Sequence, residues 1–283
     1  MGNLYVIATP IGNLSDISYR ALEILKSVSL VCCEDTRQTI KIFNHYGIKQ
    51  KMTSYHKFNE NSKKDMIIKK LLDGEDVAIV SDAGTPCISD PGYILVNKAR
   101  EEGINVYAVP GPSASVSALS VSGLDSKMFS FIGFLSQDNK KRKEELEIIK
   151  ESKIDTFIIY ESPKRIVKLV EELKKVNENA KLFIVNDLTK IHERSFYGNI
   201  NSVYEKIKID KNIEKGEYVL VLQKENKKEE KEEIDLSLES LIIDVMVKNK
   251  VSQKDAVNIL SEKGYKKNDL KEASLRLKKL FKE

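Results

Sequence analysis

Cysteine and histidine are scarce in this chain, and their spacing excludes several kinds of site. Only three of the 283 residues are cysteine and three are histidine. Cys32 and Cys33 are adjacent in an apparent strand, so their side chains point to opposite faces, and Cys87 stands alone. We therefore expect small core residues without a disulfide framework, and no metal is predicted because the histidines lack ligand spacing.

Long hydrophobic runs are also missing. The longest, at 241–247, is broken by Asp244 and is far shorter than the roughly 20 residues of a membrane-spanning helix. The first residues start a strand directly, without a basic region or an apolar signal core. We therefore expect a globular cytoplasmic protein, long enough for two domains or for one domain with an appendage.

The excess of positive charge is small and is concentrated near one end of the chain. The formal net charge of +4 permits nucleic acid as a partner without arguing for it. Residues 251–283 contain nine lysines or arginines against five acidic residues, an excess equal to that of the whole chain. The distribution of charge along the chain is therefore more informative about a nucleic-acid partner than the net charge is.

Apolar β-branched runs alternate with helical patterns from the first residues, which predicts an N-terminal α/β domain over 1–125 with a doubly wound sheet. Strands are predicted at 4–9, 30–33, 52–55, 77–80 and 106–109, and helices at 19–27, 36–45, 62–73, 93–102 and 114–122.

A second α/β domain is predicted over 126–223. Its strands are expected at 129–134, 156–160, 182–185, 195–197 and 218–223, the last two in antiparallel pairing, with helices at 140–151, 163–176 and 202–207.

The remaining residues predict a charged linker followed by a small helical module. Residues 224–235 contain five glutamates and four lysines. Helices are predicted at 236–248, 253–263 and 267–281 within a module spanning 236–283, and the buried stripe of the last helix is expected to be Leu270, Ala273, Leu277 and Leu280. Its basic residues favour RNA binding, with packing against a partner subunit as the alternative.

Common nucleotide motifs are absent, whereas four loops at strand ends carry glycine, proline and polar residues. The chain has no G-x-x-x-x-G-K-[ST], no G-x-G-x-x-G after the first strand and no G-x-S-x-G. The four loops are 9–14, 34–37, 81–92 and 110–114. Open α/β sheets bind ligands at the carboxyl ends of their strands, so we expect the site there. A single such loop more often just terminates a strand, but four together favour a ligand site.

In this order the segments resemble the tetrapyrrole methylase superfamily, and within it the branch that methylates small-subunit ribosomal RNA. The matching motifs are TPIGNL at 9–14, EDTR at 34–37, SDAGTP at 81–86, DPG at 90–92, PGPSA at 110–114, GFL at 133–135, YESP at 160–163, LTK at 188–190 with Glu193, and KGE at 215–217. The chain departs from the usual pattern at Asn186-Asp187 (usually Arg-Glu), Ser136 (usually Pro) and Lys164 (commonly His).

The resemblance implies an S-adenosylmethionine-dependent enzyme that methylates the ribose 2′-oxygen of a decoding-centre cytidine in 16S ribosomal RNA. It also implies two α/β domains with the cofactor in the cleft between them, usually in a homodimer. The small ribosomal subunit, or its free RNA, would be the partner.

A sulfonium cofactor favours a polar pocket poor in lysine and arginine, which the loop at 81–86 fits. Asp82 can accept hydrogen bonds from an amine or ribose, with helix capping as its structural alternative, and Ser113 and Ala114 can present backbone N–H groups to a carboxylate. The predicted cofactor-binding residues are Pro10, Asp82, Ala83, Gly84, Thr85, Ser113, Ala114, Tyr160, Leu188 and Gly216.

Methyl transfer from a weakly acidic hydroxyl needs alignment and a proton acceptor. Asp35, Glu161 and Glu193 are the carboxylates available in the matched loops, and the sequence does not choose among them. Arg37 and Lys190 are predicted to clamp RNA phosphate or to stabilise the oxyanion. For each of these residues a surface salt bridge is the alternative.

Further interpretations stay open. The basic run at 140–143 is either a solvated charge run or a contact to the phosphate backbone. A superfamily enzyme acting on a porphyrinoid or on a histidine-derived group of a protein, and a non-catalytic RNA-binding assembly factor, are the alternative functions.

Overall fold

The structure is a computed structural model that describes residues 1–225 and 237–280. These residues belong to two compact units, Met1–Glu225 and Asn226–Glu283. The strands are β1 (Leu4–Ile7), β2 (Leu30–Cys33), β3 (Met52–Ser54), β4 (Val77–Val80), β5 (Val106–Val109), β6 (Phe129–Phe134), β7 (Thr156–Glu161), β8 (Lys181–Asn186), β9 (Arg194–Asn199) and β10 (Tyr218–Gln223).

The helices of the first unit are α1 (Tyr19–Ser27), α2 (Thr36–Tyr46), α3 (Glu60–Leu72), α4 (Tyr93–Glu101), α5 (Ala114–Ser122), α6 (Asn139–Glu151), α7 (Ile166–Val176) and α8 (Ile200–Lys208). Those of the second are α9 (Leu238–Asn249), α10 (Gln253–Glu262) and α11 (Lys267–Leu280). None of the helices in the described ranges has both the length and the apolarity needed to span a membrane.

The first sheet is wholly parallel, with strand order β3-β2-β4-β1-β5. Residues 30–33 and 77–80 are buried along their whole length, as expected for strands covered on both faces. One face packs against α1 and α2 through residues such as Leu25 and Phe43, and the other packs against α3 and α4 through residues such as Ile67 and Leu95. The predicted doubly wound α/β arrangement is confirmed.

The second sheet is mixed, with strand order β6-β7-β10-β8-β9. β6 and β7 are parallel, whereas β10 and β9 pair antiparallel with their neighbours, in agreement with the prediction for these two strands. One face is covered by α7 and α8. The other face receives α5, whose Ala118 and Leu119 pack against Ile158, Phe183 and Val219. Helix α5 follows β5 of the first sheet in sequence, but it packs into the core of the second sheet.

Lys224 was predicted as the first residue of the linker, but in the structure it belongs to the first unit. Its side chain is buried, and Nζ donates to the carbonyl oxygens of Lys150 and Ser152 at 3.1 and 2.6 Å. The backbone N–H of Lys224 donates to the carbonyl of Asp155, which continues the fold past β10. Residues 226–235 of the predicted linker lie outside the described residues.

The C-terminal unit consists of α9, α10 and α11 around a small apolar core. Leu270, Ala273 and Leu277 are buried in it, as the predicted stripe requires. Leu280 is 72% exposed, so its assignment to the stripe was wrong. It is the last residue of α11 and lies beyond the turn that packs against the other two helices.

Candidate active site

A cavity of about 380 Å³ lies where the carboxyl end of β4 meets strand ends of the second sheet. Its volume is within the range of small-molecule sites, about 300–1,000 Å³. It is lined by the loop after β4, the start of α5, the ends of β6 and β7, the loop after β8 and the start of β10. The lining residues are Ile11, Asp82, Ala83, Gly84, Thr85, Ile88, Ser89, Asp90, Ser113, Ala114, Phe134, Tyr160, Glu161, Ser162, Pro163, Leu188, Glu217, Tyr218 and Val219.

The charged side chains that line the cavity are all acidic. Four carboxylates contribute to it, from Asp82, Asp90, Glu161 and Glu217, and none of the lining residues, all of which lie within 1–225, is a lysine or arginine. Burial raises the pKa of Asp82, with the nearby Asp35 carboxylate adding to the shift and a hydrogen bond from the Asp35 N–H opposing it. Such a cavity favours a ligand that carries positive charge.

The start of α5 presents backbone N–H groups beside the cavity, and the side chain of its N-cap residue does not bind them. Ser113 is the N-cap residue of α5, yet its side chain makes no capping hydrogen bond, and its hydroxyl lies 3.1 Å from that of Ser115 instead. Thr85 donates its hydroxyl to the carbonyl of Pro112 at 3.2 Å, which ties the loop after β4 to this helix start. A helix N-terminus with free N–H groups suits an anionic group of a ligand.

The loop after β1 is fastened to the loop after β4. Thr9 and Gly84 exchange two backbone hydrogen bonds of 2.9 Å, and the Thr9 hydroxyl donates to the carbonyl of Ser81 at 3.1 Å. Gly84 has φ +82°, a conformation that favours glycine. This pairing brings Ile11 into the cavity wall, whereas the predicted Pro10 does not line the cavity.

Asp35 and Arg37 lie on one rim and interact with each other. The guanidinium of Arg37 lies 2.6 Å from Asp35 Oδ2, and this hydrogen bonding lowers the pKa of Asp35 to about 2. Asp35 also caps α2 by accepting the N–H of Arg37 at 2.8 Å. The Asp35 N–H donates to Asp82 Oδ1 at 2.9 Å, so this rim adjoins the cavity without lining it.

Lys190 and Glu193 lie on a second rim, in the loop between β8 and β9. Lys190 Nζ is 2.7 Å from Asp187 Oδ1 and 2.9 Å from Glu217 Oε2. Burial alone would lower the pKa of Lys190, but its two carboxylate partners raise it overall. Glu193 Oε2 accepts the N–H of Thr189 at 2.6 Å and stabilises the loop. Neither Lys190 nor Glu193 lines the cavity.

Asn186 and Asp187, the departures from the family pattern, organise this rim. Asn186 is buried, donates to the carbonyls of Lys215 and Glu217 at 3.1 and 3.3 Å, and accepts a hydrogen bond from Arg194. Gly216 has φ +81°, and a Cβ there would overlap Asp187 Oδ2 and lie 2.6 Å from Asn186 Nδ2. The predicted cofactor residue Gly216 is thus next to the cavity, where it makes room for these two side chains.

Glu161 reaches the cavity wall but is held by arginines. Its Oε1 accepts hydrogen bonds from Arg165 Nε at 2.8 Å and from the Ser162 N–H at 2.7 Å. The guanidinium of Arg142 lies 3.5 Å from Glu161 Oε2 and 2.8 Å from Glu172. Arg142 is 6% exposed, so within the basic run 140–143 this residue is neither a solvated charge nor available to a phosphate backbone.

The cavity also contains residues that were not predicted as site residues. Asp90, Phe134, Pro163 and Glu217 stand in motifs that the sequence marked, but none of the four was itself predicted as a site residue. Of the predicted cofactor-binding residues, the cavity lining includes Asp82, Ala83, Gly84, Thr85, Ser113, Ala114, Tyr160 and Leu188. Within the described ranges no cluster of histidine, cysteine, aspartate or glutamate side chains is arranged to hold a metal ion.

The sequence profile of the Tetrapyrrole (Corrin/Porphyrin) Methylases matches residues 3–204, more than half of the chain. The chain belongs to the tetrapyrrole methylase family. Several of its relatives in this family are named ribosomal RNA small subunit methyltransferase I. One from Escherichia coli O157:H7 is 39% identical over 271 residues, covering 95% of this chain and 93% of the relative. One from Hydrogenobaculum sp. is 45% identical over 224 residues, covering 79% of this chain and 96% of the relative.

Solved structures share the methylase fold at low sequence identity. Uroporphyrin-III C-methyltransferase from Thermus thermophilus, complexed with S-adenosylhomocysteine, has a TM-score of 0.55 at 14% identity. The match covers 78% of this chain and 97% of that one. Diphthine synthase has a TM-score of 0.58 at 14% identity, covering 79% of this chain and 90% of that one. These matches support the α/β architecture of the methylase family.

Proposed function

We propose that this methylase transfers a methyl group from S-adenosylmethionine to the ribose 2′-oxygen of a cytidine in 16S ribosomal RNA. The observation that carries the proposal is the convergence of the matched loops on one cavity, in a chain 38–45% identical to small-subunit RNA methyltransferases. The proposed setting is the cytoplasm, where ribosomal RNA is the substrate.

The residues of the cavity fit S-adenosylmethionine. The uncapped start of α5, at Ser113 and Ala114, offers N–H donors to its carboxylate. The carboxylate of Asp82 offers acceptors for its amine or ribose hydroxyls, and the lining has no cation that would repel a sulfonium. Apolar contact area for a purine is available from Ile11, Ile88, Phe134, Tyr160 and Leu188.

The bound cofactor supplies an electrophilic methyl group on a positively charged sulfur. The protein must hold the attacking hydroxyl in line with that methyl, exclude water and accept one proton. Arg37 and Lys190 are proposed to hold RNA phosphate at the two rims. The side chain of Arg37 is 87% exposed, so its guanidinium is accessible to RNA although it also interacts with Asp35. The lysine is oriented by Asp187 and Glu217.

A transfer assay tests the proposal. Purified protein is incubated with methyl-labelled S-adenosylmethionine and small ribosomal subunits from a strain that lacks this chain. We expect label in the RNA, located on a cytidine ribose by nuclease digestion and mass spectrometry. Label in uroporphyrinogen and none in either subunits or free 16S RNA would contradict the proposal and favour a tetrapyrrole substrate. Cofactor binding without transfer to any acceptor would favour an RNA-binding assembly factor.

We also propose a homodimer, as the resemblance implies. The edge strand β5 leaves Tyr107 49% exposed, and α5 leaves Val116 and Val121 about 60% exposed, which supplies apolar surface for a second copy. Light scattering on the purified full-length chain measures the assembly directly.

A further inference from the structure

The four carboxylates that line the cavity differ in the hydrogen-bond and ion-pair partners that they already have. Glu161 is held by Arg165 and Arg142, and Glu217 lies 2.9 Å from the ammonium of Lys190. Asp82 accepts the backbone N–H of Asp35 at 2.9 Å. Within residues 1–225 and 237–280, Asp90 is the cavity carboxylate that forms no ion pair and accepts no backbone N–H. The Ser81 hydroxyl, which donates to the carbonyls of Ala83 and Gly84 at 3.3 Å, lies near enough to affect it.

The other predicted proton acceptors are poorly suited. Asp35 is bound by the guanidinium of Arg37, which stabilises its ionised form and makes it a weak base. Glu193 is engaged by the N–H of Thr189, and neither residue lines the cavity.

Asp90 is held in a constrained loop. Its neighbour Ser89 has φ +66°, and Cys87, two residues before Ser89, has φ +69°, a region that non-glycine residues rarely adopt. The loop is fastened where the buried carboxylate of Glu60 accepts the N–H of Gly92 at 2.8 Å. Strained backbone that is held in place by such contacts is common where a side chain must be presented to a ligand.

We propose that Asp90 is the proton acceptor for methyl transfer, an assignment that rests on the proposed function. As the hydroxyl oxygen forms its bond to the methyl carbon, the carbon–sulfur bond breaks and its electron pair stays on sulfur. The hydroxyl proton moves to the Asp90 carboxylate. After the products leave, the protonated Asp90 returns its proton to solvent.

The surroundings of Asp90 suit this role. Burial raises the pKa of Asp90 to about 7, the carboxylates of Glu34 and Asp82 add to the shift, and the Ser81 hydroxyl opposes it. Tyr160 from β7 and Cys87 in the same loop also face this carboxylate, and each has a pKa raised mainly by burial. A base whose pKa is close to the working pH is deprotonated in a large fraction of the molecules and still has a high affinity for the proton.

Single-turnover kinetics with saturating small subunits test the assignment, using Asp90→Asn with Asp90→Glu as the matched variant that keeps a carboxylate. In Asp90→Asn we expect S-adenosylmethionine affinity within a few-fold of wild type and a transfer rate lower by ~10²–10⁴-fold. The rise of the wild-type rate with pH near neutrality should vanish in Asp90→Asn and persist in Asp90→Glu. Equal rates of wild type and Asp90→Asn across this range would overturn the assignment, as would a loss confined to cofactor affinity. A wild-type protein that labels no RNA would instead refute the proposed function.

A second measurement needs no activity. The pKa of Asp90 in the folded chain lies above its value of about 4 in unfolded chains, so the folded state binds this proton more tightly. The stability of wild type relative to Asp90→Asn should therefore fall as pH rises from about 4 through 7. Thermal unfolding of both cofactor-free proteins at several pH values measures this, and a difference that does not vary with pH would overturn the inferred surroundings of Asp90.

Discussion

Replacement of Gly216 by alanine tests how the rim formed by Asn186 and Asp187 is built. Gly216 has φ +81°, and an added Cβ would overlap Asp187 Oδ2 and come within 2.6 Å of Asn186 Nδ2. Both side chains are short and take part in hydrogen bonds, so they can give way only by breaking them. Asn186 Nδ2 would lose its bonds to the carbonyls of Lys215 and Glu217.

The expected cost has two parts. An alanine in the left-handed region costs about 1–2 kcal/mol, and two lost hydrogen bonds of a buried amide cost about 1 kcal/mol each. The sum, roughly 3–4 kcal/mol, corresponds to a fall in melting temperature of about 6–16 °C for a unit of this size.

Gly47→Ala is the matched control. Gly47 ends α2 with φ +64°, but nothing lies within 4 Å of its added Cβ. This variant should show the backbone cost alone, so its melting temperature should fall much less. Thermal unfolding of wild type and both variants, followed by circular dichroism, gives the comparison. If Gly216→Ala were no less stable than Gly47→Ala, the inferred crowding around Asn186 and Asp187 would be incorrect.

Three further predictions follow from the site and the chain's two units. Asp82→Ala should weaken S-adenosylmethionine binding by roughly 1–3 kcal/mol, as expected for a lost charge-assisted hydrogen bond; unchanged affinity by calorimetry would exclude a role for Asp82 in the cofactor site. Arg37→Ala and Lys190→Ala should leave cofactor affinity nearly intact and slow methyl transfer to RNA. Lost cofactor binding with retained RNA affinity would reverse that assignment. A chain ending at Glu225 should stay folded and bind cofactor, since Lys224 and its hydrogen bonds are kept. Its RNA affinity should fall, and the salt dependence should become shallower by about 0.7–0.9 per lost phosphate contact. An unaltered salt dependence in a monomeric product would assign the C-terminal helices to dimerisation.

The architecture was predictable because the core strands are short, apolar and rich in β-branched residues. Residues 30–33, 77–80 and 106–109 form strands with the predicted ends, and α1 and α5 also have the predicted bounds. The strand predicted at 4–9 ends at Ile7, where Thr9 leaves the sheet to pair with Gly84. That contact joins residues far apart in sequence, and no local pattern encodes it.

The site was predictable at the level of loops and less so at the level of side chains. Parallel strands end at the same edge, which is why the loops after β1, β2, β4 and β5 meet. The hydrogen-bond and ion-pair partners of each side chain are set by tertiary packing. Glu161 was predicted as a candidate base, but Arg142 and Arg165 hold it through contacts that only the folded chain creates. Asp90 was not predicted because its partial burial and its acidic neighbours cannot be inferred from its place in the motif.

The position of α5 couples cofactor binding to folding in a specific way. Its first turn faces the cavity, while Ala118 and Leu119 are embedded in the core of the second sheet. A ligand held by that turn is therefore attached to both sheets through one rigid element. Residues 1–225 should consequently melt in a single cooperative transition that shifts upward with cofactor concentration, and core substitutions beneath α5 should lower this transition temperature and weaken cofactor binding together.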